Sequence, residues 1–149
     1  MEKKMDRYLF RGKTFPAKNW IIGSLNKEGK YREIKDTNGI FVVVIYDTVG
    51  QCTGLRDVHD KLIFEGDIVR YRYDADHTFD LQDNEWDYGV VVWQGEKYEY
   101  PAFDLDKHNF HSNGLSYILG SDVYEIEIAG NVYDNPELLE VLKMPKKKK

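Results

Sequence analysis

The sequence has one cysteine, Cys52, among 149 residues, and its longest apolar run, Ile40 to Tyr46, is seven residues long. A lone thiol excludes an internal disulfide, so packing must hold the fold. Seven apolar residues are far short of the roughly 20 that a membrane helix needs. No apolar stretch follows Lys3 and Lys4 to form the centre of a secretion signal, so a cytoplasmic location with no membrane partner is expected. Also missing are a glycine-rich phosphate loop, a nucleophile elbow and paired zinc-binding cysteines, which leaves no cofactor to expect and weighs against an enzyme.

What is present suits folding: 42% of the residues are apolar and 14% aromatic, enough apolar surface to offset chain entropy despite a charged fraction of 32%. The charge is unevenly placed. Residues 1–35 hold ten Lys and Arg against four Asp and Glu, residues 36–142 hold six against twenty-two, and residues 143–149 add five Lys. An acidic middle repels phosphate, so only the basic beginning and the Lys146 to Lys149 tail offer a footprint for nucleic acid.

Period and punctuation give a mostly β chain. Tyr8 to Arg11 reads as a first strand. Trp20 to Leu25 and Lys30 to Ile34 read as a hairpin around Asn26 to Gly29, with Tyr31 inward. "IFVVVIY", apolar on both faces, is expected to be a strand buried on both sides and the centre of the N-terminal core. Ile68 to Tyr73 alternates Arg70 and Arg72 with Val69, Tyr71 and Tyr73. Tyr88 to Trp93 and Tyr98 to Leu105 form a further hairpin around Gly95, Tyr117 to Leu119 a short strand, and Tyr124 to Ile128 a strand with Ile126 and Ile128 inward. One short helix follows Asp134, with Asn135 as its cap, Pro136 in its first position and Pro145 ending it. The expected organisation is a β-rich subdomain over 1–50, a small β-barrel-like subdomain with the helix over 51–144, and a disordered basic tail over 145–149.

Three patterns invite a chemical reading. Asp104, Asp106, His108 and His111 could bind a metal that activates water for phosphodiester hydrolysis, but nothing around them supplies supporting partners, and a solvated loop is the simpler reading. Asp74, Asp76, Thr78 and Glu85 match four calcium-loop positions, yet Phe79 stands where that loop requires glycine. Arg70 and Arg72 beside Tyr71 and Tyr73 suggest a platform for bases, but alternation sends cations and rings to opposite faces. In Gln51 to Tyr73 the acids have structural work available. Asp57 can accept from the backbone two residues on, His59 or Asp60 can take a left-handed conformation, Gly66 can reverse the chain, and Asp67 can accept from turn amides.

These residues also carry a resemblance. Phe10-Arg11-Gly12-Lys13, Thr48-Val49-Gly50-Gln51, Thr53-Gly54-Leu55, Asp57, Ile63 to Val69 with Glu65, Gly66 and Asp67, and Gly130-Asn131 through Asn135-Pro136 to Leu139 together resemble the YopX protein family of phages and prophages. The resemblance implies a β-rich fold and self-association in a bacterial setting. It supplies no catalytic residue, so Gln51, Thr53, Gly54, Leu55, Asp57, Glu65, Gly66, Asp67, Gly130, Asn131, Asn135 and Pro136 are expected to be structural. Cys52 stands where the family usually has Tyr, and His59-Asp60 where it has an Asn-Gly turn. The leading expectation is a non-catalytic, homo-oligomeric protein that meets itself or a phage or host protein. The alternative is a nucleic-acid-linked activity.

Overall fold

The computed structural model describes residues 8–73, 86–93, 103–105 and 124–143. The chain divides into unit 1, Met1–Gly54 with Leu62–Phe64, and unit 2, Leu55–Lys61 with Glu65–Lys149. The first crossing between them falls inside a strand rather than in a linker.

Unit 1 is built on strands β1 (Phe10–Lys13), β2 (Trp20–Asn26), β3 (Glu33–Lys35), β4 (Phe41–Val43), β5 (Gly50–Arg56) and β6 (Leu62–Phe64). They lie in the order β4-β3-β2-β1-β5-β6, and the pairs from β4 to β5 are antiparallel. The hairpin expected after Trp20 is present, with Leu25 opposite Ile34 and Asn26 opposite Glu33. Tyr31, however, is exposed, because the second arm begins only at Glu33 and Tyr31 lies in the connection. Ile34 pairs with Val42 on the inward face, and Val44, Cys52, Ile63 and Phe64 complete the buried set, Ile63 and Phe64 being neighbours on β6 that point to opposite faces. Two glycines make room. A Cβ on Gly12 would come within 3.0 Å of Val44 Cβ, and one on Gly23 would strike the Lys35 carbonyl.

The run from Ile40 to Tyr46 is not the doubly covered strand expected of it. Only Phe41–Val43 is strand, at one end of the sheet, and Ile40, Phe41 and Tyr46 are 59%, 47% and 65% exposed. Only Val44 of the run is fully inside, joined to Thr14 by an isolated bridge. A strand at the end of a sheet has one backbone edge without a partner strand and fewer neighbours to cover its side chains, and a short apolar run does not reveal which strand is terminal. Neighbouring residues buried on opposite faces occur instead at Ile63 and Phe64 of β6, and again in unit 2.

Unit 2 contains β7 (Asp67–Tyr73), β8 (Asp87–Trp93), β9 (Phe103–Leu105) and β10 (Tyr124–Asn131) in the antiparallel order β10-β7-β8-β9, followed by helix α1 (Leu138–Lys143). Ile68 and Val69 are neighbours on β7 and point to opposite faces, yet both are fully buried. Val91, Leu105 and Ile126 join them, as the alternation of β10 foretold. Gly89 lies close under Leu105, whose Cβ would be 3.1 Å from an added methyl. The four strands form an open sheet among the described residues, so the barrel expected for this part of the chain is not found. The connection over 94–102, the strand at Tyr117 to Leu119 and the tail over 144–149 lie outside the described residues.

Candidate functional site

The Asp57 turn is the most heavily bonded of the sequence motifs. Asp57 Oδ1 accepts from the backbone N–H of His59 at 2.9 Å and of Lys61 at 3.0 Å, while Oδ2 accepts from Ile128 N, 71 residues away, at 3.0 Å. Val58 N donates to the Ile126 carbonyl at 3.0 Å. Together they cover the free edge of β10, which would otherwise present unpaired backbone groups to another strand. Asp60 takes the left-handed conformation, φ +62°, as the sequence allows for an Asp. Arg56 Nη1 donates to its carbonyl at 2.8 Å.

Above this turn stands a polar cluster for which the sequence offers no signal. His59 Nε2 lies 2.9 Å from Glu127 Oε2, and Arg70 forms an ion pair and hydrogen bond with Glu127 Oε1. Next along the sheet, Arg72 Nη2 is 3.6 Å from Glu125 Oε2. Trp86 lies over both guanidinium groups, its ring centre 4.3 Å from Arg70 Cζ and 4.1 Å from Arg72 Cζ. The hydrogen bond from His59, with the bond and charge of Arg70 added, outweighs burial and holds Glu127 below its ordinary value. Glu127 is 17% exposed and already committed to Arg70, so it orients the imidazole and ties the turn to the sheet. Arg70 and Arg72, which alternation sends to the face opposite the rings, are half-buried partners in a cross-strand ladder.

The remaining motif residues form a junction. Gly66, with φ +92°, donates from its N–H to the Val91 carbonyl at 2.9 Å and accepts from Val132 N at 3.0 Å. Asp67, fully buried, pairs with Asn131, and Ile68 with Gly130. Asn131 Oδ1 accepts from Tyr133 N and Asp134 N, closing the turn before α1. Asn135 does not cap the helix with its side chain. Its Oδ1 turns back to accept from Asn131 N at 3.2 Å, and its backbone carbonyl takes Leu138 N instead. Gly130 permits this, because a Cβ there would sit 2.5 Å from Asn135 Oδ1. Pro136 is exposed, and its carbonyl accepts from Leu139 N. Replacing Gly66 with Val should destabilise the protein by about 2 kcal/mol, because a β-branched side chain is strained at positive φ. Urea unfolding checks this, and an unchanged midpoint would remove Gly66 from the fold's requirements.

In unit 1, Gln51 pairs with Phe10, and the buried Thr53 donates its hydroxyl to the Ile63 carbonyl at 2.7 Å. Gly54 has φ +79°. Leu55 continues β5, and Glu65 precedes the Gly66 turn, both half-buried. Asp104 lies in β9, whereas Asp106, His108 and His111, like Asp74, Asp76, Thr78 and Glu85, lie outside the described residues. No group of three or more His, Cys, Asp or Glu able to hold a metal occurs among the described residues.

A family model described as YopX protein matches residues 4–140. The chain belongs to the YopX protein family. A crystal structure of protein EF1440 from Enterococcus faecalis is similar at 22% identity over 87% of this chain and 96% of its own, with a TM-score of 0.49. Among curated proteins, none matches. In this chain Asp60 takes the left-handed conformation of the turn, and the His59 imidazole reaches Glu127 through Nε2. Cys52 is fully buried.

Proposed function

We propose that this YopX-family chain is a phage- or prophage-type protein of the bacterial cytoplasm that acts without catalysis as a homo-oligomeric interaction module. The supporting observation is the distribution of exposed apolar side chains. Among the described residues, seven of the ten large ones, including Phe15, Tyr31, Ile40 and Tyr46, fall in residues 8–46. The partner is a second copy of the chain, in keeping with the self-association that the family resemblance implies. Side chains rather than strand addition carry the contact, because the backbone edges that a partner strand would use are partly occupied. Phe15 N donates to the Val43 carbonyl, Ile45 N to the Lys13 carbonyl, and Asp57 with Val58 covers β10.

An apolar interface persists at high salt, whereas one made of opposed charged segments weakens as screening shortens their reach. Sedimentation of the full chain at micromolar concentration is expected to show an oligomer at low and high salt alike. The double variant Ile40→Glu, Tyr46→Glu should shift it to monomer, raising the dissociation constant by roughly tenfold or more, since buried anchors dominate interfaces. A monomeric parent in both buffers would defeat the reading. Dissociation at high salt alone would replace the apolar interface with an electrostatic one.

A further inference from the structure

The outward face of the unit 1 sheet carries cations and rings in register. Arg11 is opposite Ile22, Lys13 opposite Trp20, and Lys35 opposite Phe41, so all six side chains emerge on the side away from Ile34 and Val44. The cations lie against the rings. Arg11 Cζ is 4.6 Å from the Trp20 ring centre and 5.0 Å from that of Phe64, Lys13 Nζ is 5.3 Å from Trp20, and Lys35 Nζ is 5.8 Å from Phe41. Ile22, Lys35 and Phe41 are exposed, and Trp20 is half-exposed.

We propose that this face binds single-stranded nucleic acid. Such strands are held by flat side chains on which bases stack, beside cations that track the phosphates, and the combination tolerates any sequence because every base has a π-face. Trp20 and Phe41 supply the rings at the two ends of the face. By ordinary strand geometry they are on the order of 15 Å apart, room for a short run of nucleotides. Arg11, Lys13 and Lys35 supply the charge, within the segment of the chain where Lys and Arg outnumber Asp and Glu by ten to four. A duplex fits poorly, since its bases are already stacked on one another. An acidic peptide would satisfy the cations but leave the rings without flat partners. Glu33, which accepts from Asn26 Nδ2 at 3.4 Å on the same face, bounds the path on one side of Lys35 by repelling phosphate. This places the footprint on the sheet rather than on the lysine tail, and it stands independently of self-association.

The test is fluorescence anisotropy of the full chain with a labelled twelve-residue oligothymidylate. Three phosphate contacts give a log–log salt slope of about −2, so affinity should fall roughly 15-fold between about 50 and 200 mM salt. Lys35→Glu and Phe41→Ala should each weaken binding by about fivefold or more, whereas Lys61→Glu, the same charge change on an exposed side chain of unit 2, should change it less than about twofold. Lys35 and Phe41 lie off the core, and unchanged circular dichroism melts show that both variants fold. Absence of binding at the lower salt overturns the proposal. So does an equal loss in Lys61→Glu, binding that vanishes on removal of residues 146–149 but survives Lys35→Glu, or displacement by polyglutamate as effective as that by unlabelled oligothymidylate.

Discussion

Replacing Asp57 with Ala is expected to destabilise the protein by about 3 kcal/mol, through three backbone donors left without their acceptor. The three are not equal. His59 and Lys61 are exposed, so water can reach their amides once the carboxylate is gone. Ile128 is half-buried on β10, and its amide loses the only acceptor that reaches it from the 57–61 turn, so most of the cost falls there. With it goes the cover over the edge of β10. Asp57→Asn separates the two parts. An asparagine oxygen keeps the turn bonds to His59 and Lys61, but its amide nitrogen would face the Ile128 N–H, donor against donor. The expected loss is therefore intermediate, about 2 kcal/mol, with the turn retained. Urea unfolding gives the magnitudes, and amide exchange locates them. Ile128 should exchange faster in both variants, while Lys61 should do so only in Asp57→Ala. Exchange at Ile128 unchanged by Asp57→Ala would show that the carboxylate does not hold the edge.

The turn itself was legible because its causes are local. Asp57 with His59, Asp60 with its left-handed backbone and Gly66 with its positive φ each act over a few residues, and residue type alone limits what such a position accepts. Alternation on β7 and β10 was legible for the same reason. Pleating sets the side of each residue, so Ile126 falls inward and Arg70 outward wherever the strand ends up.

Other features depend on which strands become neighbours, and composition does not carry that information. "IFVVVIY" has the composition of a central strand and forms the end of a sheet, while the shorter pairs Ile63-Phe64 and Ile68-Val69, the second followed by Arg70, are buried on both faces. His59 meets Glu127 across 68 positions, and the pair becomes visible only once the turn is seen to close over β10. Asn135 has the residue type and position of a helix cap. It is diverted because a bulge between Ile128 and Gly130 brings Asn131 N within its reach. The cations of unit 1 read as a count of charges until the register of β1 with β2 and of β3 with β4 puts each beside a ring.

The largest single effect is expected at a residue that no motif marks. Gly23 lies on β2 opposite Phe10, facing inward, and a Cβ built there collides with the Lys35 carbonyl oxygen and lies 3.1 Å from Ile34 Cγ2. A flexible side chain could swing away from such a methyl, but a backbone carbonyl cannot do so alone. Lys35 is held by its pairing with Ser24 on one side and Phe41 on the other, so β3 must move as a unit. Moving it disturbs Ile34, which is fully buried between Leu25 and Val42. The overpacking therefore spreads from one contact to the centre of unit 1, and Gly23→Ala should cost about 4 kcal/mol, at the upper end for a single added methyl. Gly29→Ala is the matched control. It lies in the connection between β2 and β3, its added Cβ would meet nothing nearer than the Tyr31 carbonyl oxygen at 3.9 Å, and the change should be within about 0.5 kcal/mol of the parent. Urea unfolding of the two variants side by side tests the close approach of β2 to β3. Equal stability of Gly23→Ala and Gly29→Ala would mean that the strands are further apart than this packing requires.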